Sequence, residues 1–227
     1  MILAATGLQR ERRIVAGPDI EAIASGGDPA RLEAMLDRLA GSASGIISIG
    51  IAGGLAPGLQ VGQWVVADAV LVDGEPLPTD PAWTSRVAAR LPEAVRGLLL
   101  GANAMVAEAA QKALLHGTTG ALAVDMESHI VARVARRHHL PFAVARVVSD
   151  AAHHSLPPAA RVGMKLDGGM DLPAVLRSLL ANPGQLPALI RTGLEAERGF
   201  RALLRGHRRL GRRLGGPDLG EPALDMA

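Results

Sequence analysis

Cysteine and tyrosine are absent from this sequence of 227 residues, and aromatic residues make up only 2% of it. Without cysteine the chain can form no disulfide and no thiolate metal site, which is compatible with the reducing cytoplasm. Because there are only two Phe and two Trp, the core has to be built from Ala, Val, Leu and Ile. A chain of this length can bury roughly 70% of its unfolded surface in such a core.

Long apolar runs are also missing. No run approaches the roughly 20 residues that a transmembrane helix needs. The N-terminal stretch MILAATGLQRERR has no basic segment before its few apolar residues, so we do not interpret it as a secretory signal. We therefore expect a cytoplasmic protein whose contact with the inner membrane, if it has one, is peripheral.

Lysine is scarce, and the charge is unevenly spread. Lys112 and Lys165 are the only lysines among 24 basic residues. Residues 191–214 carry eight Arg and two Glu, a balance of +6, so the rest of the chain is near −4 for the formal total of +2. Residues 187–214 mix these arginines with apolar side chains, namely Leu189, Ile190, Leu194, Phe200, Leu203, Leu204, Leu210 and Leu214.

Two interpretations of this basic segment are open. A helix with such a pattern can lie on anionic lipid, or it can pack on the domain and expose a solvated basic face. We expect no nucleic-acid partner, because no recognition motif accompanies the arginines. Glycines at 193, 199, 206 and 211 argue against one long straight helix.

Apolar segments of strand character alternate with segments of helical periodicity. We predict strands at Ile2–Thr6, Ile20–Ser25, Gly45–Ile51, Trp64–Val72, Val95–Leu100, Ala121–Met126 and Phe142–Val148. We predict helices at Leu8–Val15, Asp28–Leu39, Asp80–Leu91, Val106–Leu115, Glu127–His138, Asp171–Leu180 and Pro187–Leu210. The alternation implies an α/β fold with a mixed, mainly parallel central sheet flanked by helices. We divide the chain into a main domain at 1–185, a basic helical segment at 186–214 and a flexible tail at 215–227.

Acidic residues follow directly on several of the predicted strands. Ligands of parallel sheets bind beyond the carboxyl ends of the strands, which makes Thr6–Glu11, Ile51–Leu55, Asp125–Glu127 and Ser149–Asp150 the candidate site segments. The polar residues in these segments therefore fall where a ligand site belongs.

Three of these acids allow both a structural and a chemical interpretation. Glu127 either complements a helix N-terminus or grips a vicinal diol, because one carboxylate can accept two hydroxyl hydrogen bonds. Asp150 either caps the following segment or, in an apolar site, acts as a general acid. Glu11, among three arginines, has the surroundings of an ordinary surface helix residue.

The signatures of common cofactor and metal sites are absent. The glycines of GIAGGL do not follow G-x-G-x-x-G, and no G-K-[ST] comes after them, which disfavours a dinucleotide. His153 and His154 are adjacent and diverge, so with Asp150 they form no ordered ligand pattern for a metal. There is no G-x-S-x-G of a serine hydrolase. We expect neither a cofactor nor a metal.

Three motifs together resemble one family. GIAGGLAPGLQVGQWVVAD, AVDMES and ARVVSD occur in the order and at the similar spacing found in the purine nucleosidase and nucleoside phosphorylase superfamily. They are similar to those of the 5′-methylthioadenosine/S-adenosylhomocysteine nucleosidases. The resemblance covers roughly residues 1–185. It implies a nucleoside phosphorylase-like fold, an enzyme that cleaves a purine nucleoside, and a homodimer.

The resemblance also implies a role for each acid. Glu127 is similar to the carboxylate that holds the ribose 2′- and 3′-hydroxyls, and Met126 to the methionine beneath the sugar. Asp150 is similar to the acid that protonates purine N7, and Ser149 to the serine that orients it. Glu11 is similar to the glutamate that activates water.

Further positions bear on the co-substrate and the base. Arg146 is similar to an arginine of the water site, and Ala52 and Gly53 to backbone that approaches the nucleoside. Ile51 stands where relatives often carry Ser or Thr against the nucleophile, which favours water, although nearby arginines keep phosphate open. Relatives stack a Phe on the base near residues 101–106. GANAMVA has none, so we expect Met105 or Val106 to replace it.

Within the superfamily, AVDMESH, the basic segment and the chain length are most similar to the hopanoid-associated nucleoside phosphorylases. That subfamily implies cleavage of adenosylhopane to adenine and a ribosyl hopanoid, in hopanoid lipid biosynthesis. A wide aliphatic pocket suits such a substrate, and few aromatic residues obstruct one. A phosphorolytic enzyme and a non-catalytic purine- or lipid-binding relative are the alternatives.

Overall fold

The computed structural model describes residues 1–91, 93–162, 168–169 and 171–217. Within them the strands are β1 (Ile2–Thr6), β2 (Ile20–Ala24), β3 (Gly45–Gly54), β4 (Trp64–Val72), β5 (Glu75–Pro78), β6 (Val95–Gly101), β7 (Ala123–Asp125) and β8 (Phe142–Asp150). The helices are α1 (Gln9–Val15), α2 (Pro29–Ala40), α3 (Pro81–Arg90), α4 (Ala109–Thr119), α5 (Ser128–Arg137), α6 (Pro158–Arg161), α7 (Leu172–Ala181) and α8 (Leu186–Leu210). A 3₁₀ turn at Pro183–Gln185 connects α7 to α8.

Most neighbouring strands are parallel. Parallel pairs join β1 with β2 and β3, β3 with β8, and β6 with β4 and β7. Antiparallel pairs join β3 with β7, and β4 with β5 and β8. Because β8 pairs with both β3 and β4, the strands β3, β8, β4, β6 and β7 close into a ring. The predicted α/β fold with a mixed, mainly parallel sheet is confirmed.

Helices cover both faces of the sheet, and the two apolar layers are mostly aliphatic, as the composition requires. Alternate residues of β1 enter different layers, since successive strand side chains point to opposite faces. One layer includes Leu36 of α2 and Ile130 of α5. The other includes Trp83 of α3 and Leu203 of α8. The Trp83 indole N–H donates to the Leu214 carbonyl at 2.9 Å, which ties the end of the described chain to this layer.

Two strands run further than predicted, and one short strand was missed. β3 ends at Gly54 and β8 at Asp150, because their pairing continues through the glycines that looked like a bend. β5 has the sequence EPLP, whose prolines argued against a strand. It pairs only with β4, so a proline without an N–H is tolerated there.

Helix α8 is continuous over 25 residues, which confirms the predicted helix at Pro187–Leu210, so the expectation that its glycines argue against one long helix was wrong. Two of the glycines lie where α8 faces the sheet. A Cβ on Gly206 would lie 2.2 Å from Cζ2 of Trp64, and one on Gly199 would lie 3.5 Å from Cγ2 of Ile51. Only glycine lets the α8 backbone approach the sheet closely at Gly206, and Gly211 forms the C-cap of the helix.

The apolar residues of the basic segment divide between core and surface. Phe200, Leu203, Leu210 and Leu214 are buried, whereas Ile190, Leu194 and Leu204 are exposed. None of the described helices combines the length and apolar character needed to cross a bilayer. Residues 218–227 of the predicted tail lie outside the described part of the chain.

Candidate active site

A cavity of about 230 Å³ opens where β1, β3, β7 and β8 end. This is the edge of the sheet at which the strand-end rule places a ligand. Its acidic walls are formed by Glu11, Asp125, Glu127 and Asp150. Its remaining walls include Ile51, Met105, Val106, Met126, Leu156, Ala160, Thr192 and Ala196. The cavity is therefore aliphatic, with carboxylates from three distant segments of sequence.

A bulge in β8 brings two consecutive side chains to this cavity. Ala52 of β3 pairs with Val148, and Gly53 pairs with Asp150, so Ser149 is the extra residue. In a regular strand Ser149 and Asp150 would point to opposite faces, but with the bulge both line the cavity. The Ser149 hydroxyl donates to Asp150 Oδ1 at 2.7 Å, which orients the carboxylate.

Glu11 is held by backbone amides. Its Oε2 accepts from the N–H groups of Gly7 and Leu8, both at 2.7 Å, and its Oε1 accepts from the Ile51 N–H at 2.7 Å. The side chain belongs to a residue only 1% exposed, so the surface-helix interpretation was wrong. Burial raises the pKa of this carboxyl, while the neighbouring Arg146 and the amides oppose the shift. About four acceptor positions exist on a carboxylate, which leaves one for a ligand.

Arg146 lies behind the cavity and binds its acidic wall together. Its Nε is 2.6 Å from Asp125 Oδ2, and its Nη2 is 3.1 Å from Glu127 Oε2. Nη2 also donates to Ser48 Oγ at 2.5 Å. Burial lowers the pKa of Arg146, but Asp125, Glu127 and Glu11 together raise it above the usual value. One charged guanidinium thus faces three carboxyl groups, and acids are in excess.

Asp125, the last residue of β7, supports the start of the following helix. Its Oδ1 accepts from the Ser128 N–H at 3.0 Å and so caps the start of α5. Glu127 makes no cap bond, and its Oε1 instead accepts from the Ser25 hydroxyl at 2.8 Å. The helix-start interpretation therefore applies to Asp125, and Glu127 is left to line the cavity.

The environment of Glu127 strongly shifts the pKa of its carboxyl group. Its pKa is raised to about 7, mainly by burial and further by Asp125 and Glu11, although Arg146 and Ser25 lower it. A carboxyl poised near neutral pH in a cavity is typical of functional sites. The raised pKa also means that a positive charge placed against this wall would stabilise the ionised form of Glu127.

Asp150 has a cationic partner that the sequence analysis did not anticipate. Lys112, on α4, forms an ion pair with Asp150 Oδ2. Its ammonium also donates to the carbonyl oxygens of Ala151 at 3.1 Å and His154 at 2.9 Å. Lys112 is fully buried and is not among the residues that line the cavity.

Two glycines allow the carboxylates of Glu11 and Glu127 to converge. A Cβ on Gly7 would lie 3.0 Å from Glu127 Oε1 and 3.4 Å from Glu11 Oε2. A Cβ on Gly50 would lie 2.5 Å from Glu11 Oε1 and 2.7 Å from Arg146 Nη1. Any larger residue at Gly50 would push the Glu11 carboxylate away from the guanidinium.

The structure brings nearly all of the predicted site residues together. The nine that line the cavity are Glu11, Ala52, Gly53, Met105, Val106, Met126, Glu127, Ser149 and Asp150. Arg146 lies one layer behind them, in contact with Glu127. The individual roles given to these residues stay predictions.

Sequence reasoning missed the residues that support the acids, namely Ser25, Ser48 and Lys112, and gave no role to Asp125. The serines carry no signal, because they gain their partners only through sheet pairing. Lys112 did carry one, as one of two lysines in an arginine-rich chain. Within the described residues, no group of three or more His, Asp or Glu is arranged to hold a metal ion.

Known proteins share this fold. The sequence profile described as the phosphorylase superfamily matches residues 25–165. A 5′-methylthioadenosine/S-adenosylhomocysteine nucleosidase from Streptococcus pneumoniae, solved with a transition-state inhibitor, is 18% identical with a TM-score of 0.64, over 92% of this chain and 99% of that one. The Neisseria meningitidis nucleosidase with methylthio-immucillin-A is 13% identical with a TM-score of 0.68, over 94% and 97% of the two chains. The Colwellia psychrerythraea nucleosidase with adenine is 16% identical with a TM-score of 0.62, over 92% and 96%.

Proposed function

We propose that this chain, which belongs to the phosphorylase superfamily, hydrolyses the N-glycosidic bond of an adenosyl nucleoside. Membership confirms the predicted enzyme class, a nucleosidase or nucleoside phosphorylase. The observation that carries the finer proposal is the convergence of Glu11, Glu127 and Asp150 on one cavity. Solved relatives of this fold hold adenine or methylthio-substituted analogues, which supports an adenosyl substrate.

The wall formed by Glu11 and Glu127 suits the sugar. Glycosidic cleavage passes through an oxocarbenium-like state, in which the ribose ring becomes positively charged. The ionised Glu127 accepts hydrogen bonds from the vicinal hydroxyls and, with Glu11, stabilises that charge. Glu11, fixed by three amides with one acceptor position left, takes a proton from the attacking water. Arg146 keeps these acids in place.

The wall formed by Ser149 and Asp150 suits the base. As the bond between C1′ and N9 breaks, its electron pair moves into the purine, which then needs a proton at N7. Asp150 donates this proton, and the Ser149 hydroxyl holds its Oδ1 in place. Met105 and Val106 supply aliphatic contact to the ring where no aromatic residue lines the cavity.

The charges favour water over phosphate. A phosphate dianion would have to sit beside Glu11 and Glu127, which outnumber the one guanidinium behind them. The arginines that kept phosphate open are engaged elsewhere. Arg10 pairs with Glu197 at 2.7 Å, Arg12 Nε donates to the Ala22 carbonyl at 2.9 Å, and Arg146 is paired with acids.

The direct test is product analysis with 5′-methylthioadenosine as substrate. We expect adenine and a free reducing sugar, at a rate that does not change when phosphate is added. A sugar 1-phosphate formed only with phosphate present would replace hydrolysis by phosphorolysis. No adenine release under either condition, from methylthioadenosine, adenosine or adenosylhopane, would favour the non-catalytic relative.

The 5′ substituent that we favour is the hopanoid of adenosylhopane. Support comes from the part of the cavity wall formed by Leu156, Ala160, Thr192 and Ala196, whose mostly apolar side chains would make favourable contact with a hydrocarbon substituent. Assaying the three substrates side by side tests this choice. We expect the highest kcat/KM with adenosylhopane, and a preference for methylthioadenosine would contradict it. Membrane contact and a homodimer stay predictions.

A further inference from the structure

Lys112 is a buried cation that reaches Asp150 from outside the cavity. The three protons of its ammonium are matched by three acceptors: Asp150 Oδ2 and the carbonyls of Ala151 and His154. A lysine is almost never fully buried unless it is paired, and here the ammonium is fully satisfied. The pair therefore joins α4 to the carboxyl end of β8 directly behind the base-side wall.

The choice of lysine at this position is informative. The chain uses arginine for nearly all of its 24 basic residues, and Lys112 is one of only two exceptions. Arginine would hold the same negative charge, but a guanidinium does not give up its proton in proteins. An ammonium group beside a carboxylate can give up its proton. A pair of this kind keeps a transferable proton to higher pH than a carboxyl group alone.

The other ionisable groups near this pair are already partnered. The His154 ring, in the loop after β8, lies 2.9 Å from Glu195 of α8, and His153 stacks edge-on against His154. At the start of α4, Glu108 forms an ion pair with Arg161 of α6. At its end, His116 is hydrogen-bonded to the Ala121 carbonyl at 2.9 Å. These contacts leave Lys112 and Asp150 as each other's charged partner.

Resting on the proposed function, we propose that Lys112 is a positioning residue that holds the proton Asp150 passes to the leaving base. As the glycosidic bond breaks, one N–H bond of the ammonium breaks and an O–H bond forms at Asp150 Oδ2. The resulting carboxylic acid donates that proton to the purine nitrogen, which carries the electron pair of the broken bond. Lys112 ends as a neutral amine, and after the products leave Asp150 takes a proton from water in the cavity and returns it to Lys112.

The test is a double-mutant cycle on adenine release with the full-length protein. We expect Lys112→Met to lower kcat roughly 100-fold near pH 8, with little change in KM. If Lys112 acts only through Asp150, then Lys112→Met/Asp150→Asn is as active as Asp150→Asn alone. A double variant at least about tenfold slower than Asp150→Asn would overturn the proposal, because Lys112 would then have a separate structural effect.

The pH profile gives a second readout that a structural role would not move. In Lys112→Met the carboxyl group alone must hold the proton, so we expect the deficit to shrink to less than about tenfold at pH 5. A deficit that stays constant from pH 5 to pH 9 would overturn the proposal. The single variant buries an unpaired carboxylate and risks misfolding. The comparison of the double variant with Asp150→Asn still shows, without the single variant, whether Lys112 acts other than through Asp150.

The outcomes separate this inference from the proposed function. If the wild-type protein releases no adenine, the proposed function fails, and Lys112 is not at issue. If the wild type is active and Asp150→Asn is impaired, but the effects of Lys112→Met and Asp150→Asn multiply, only the role of Lys112 fails.

Discussion

The two ends of the cavity differ in their balance of charge. At the sugar-side wall, Glu11, Asp125 and Glu127 surround the single cation Arg146. At the base-side wall, Asp150 is matched one to one by Lys112. Both walls are buried, so water screens their charges only weakly. The excess of carboxylates at one wall and the one-to-one pairing at the other therefore both affect a bound ligand.

Under the proposed function, this difference would suit two chemical steps within a single cavity. Excess carboxylates stabilise the positive charge that develops on a ribose ring as its bond to the base breaks. A matched ion pair contributes no such field, but it keeps a proton available for a leaving group. The contrast can be tested one wall at a time.

The largest effect should come from the base-side wall. Asp150→Asn keeps the size of the side chain and removes the acid, so kcat for adenine release should fall roughly 10³-fold. The release is followed by chromatography, with Asp68→Asn, an exposed acid that pairs with Arg96 on the surface, as the control. Retention of more than about a tenth of the wild-type rate would remove Asp150 from its role as acid.

At the sugar-side wall, Glu11→Gln should lower kcat roughly 10²-fold. The amide keeps only one acceptor oxygen, so it loses at least one of the three backbone bonds, and it cannot take a proton from water. Glu21→Gln, in the neighbouring strand β2 and exposed, is the matched control and should be unaffected. Equal activity of the two variants would mean that water is activated elsewhere.

The pH dependence should report on Glu127. Its pKa is raised to about 7, and only the ionised form stabilises a cation. Well below pH 7, kcat/KM for methylthioadenosine should therefore fall roughly tenfold for each pH unit. Buffers matched in ionic strength give the profile, and a rate that is flat between pH 5 and pH 7 would contradict the assignment.

The same carboxyl group should cost stability. Its folded-state pKa of about 7 lies above the ordinary value of 4.5. The folded protein therefore binds the proton more tightly, and its contribution to stability is lost as the pH rises from about 4.5 to about 7. Glu127→Gln should accordingly raise Tm by a few degrees at pH 8 and leave it nearly unchanged at pH 5. A lower Tm at pH 8 would show that the ion pair with Arg146 outweighs burial.

The smallest effect concerns the outer surface of α8. Leu186, Ile190 and Leu194 are exposed and four residues apart, so they form one stripe beside the arginines. Changing all three to Ser should weaken binding to anionic liposomes by about tenfold. Leu114→Ser, an exposed leucine on α4, is the control. Unchanged binding would indicate that this surface of α8 does not contact lipid and that its arginines only face solvent.

Local sequence predicted much of the fold and of the cavity. β1 and β4 have the predicted bounds, because each is a mostly apolar run that ends at a glycine or an acidic residue. The strand-end acids were found for the same reason, since the sheet brings the carboxyl ends of its strands together. In each case the signal lies within a few residues of the feature.

The features that were missed depend on distant partners. The bulge at Ser149 exists only in register with Ala52 and Gly53, and Lys112 gains its role only when α4 meets β8. Likewise, Gly206 looked like a helix breaker because Trp64, the residue it packs against, is separated from it in sequence by most of the chain. Such contacts leave no periodic pattern in the sequence.

The central claim, that the sugar-side wall is built for positive charge, is tested most directly by ligand affinity. Calorimetry at pH 8 should compare an adenine-bearing iminoribitol, whose ring nitrogen is cationic, with a neutral and uncleaved ribosyl counterpart. We predict at least about 100-fold tighter binding of the cation, and loss of most of that advantage in Glu127→Gln. Equal affinities in the wild-type protein would contradict the account.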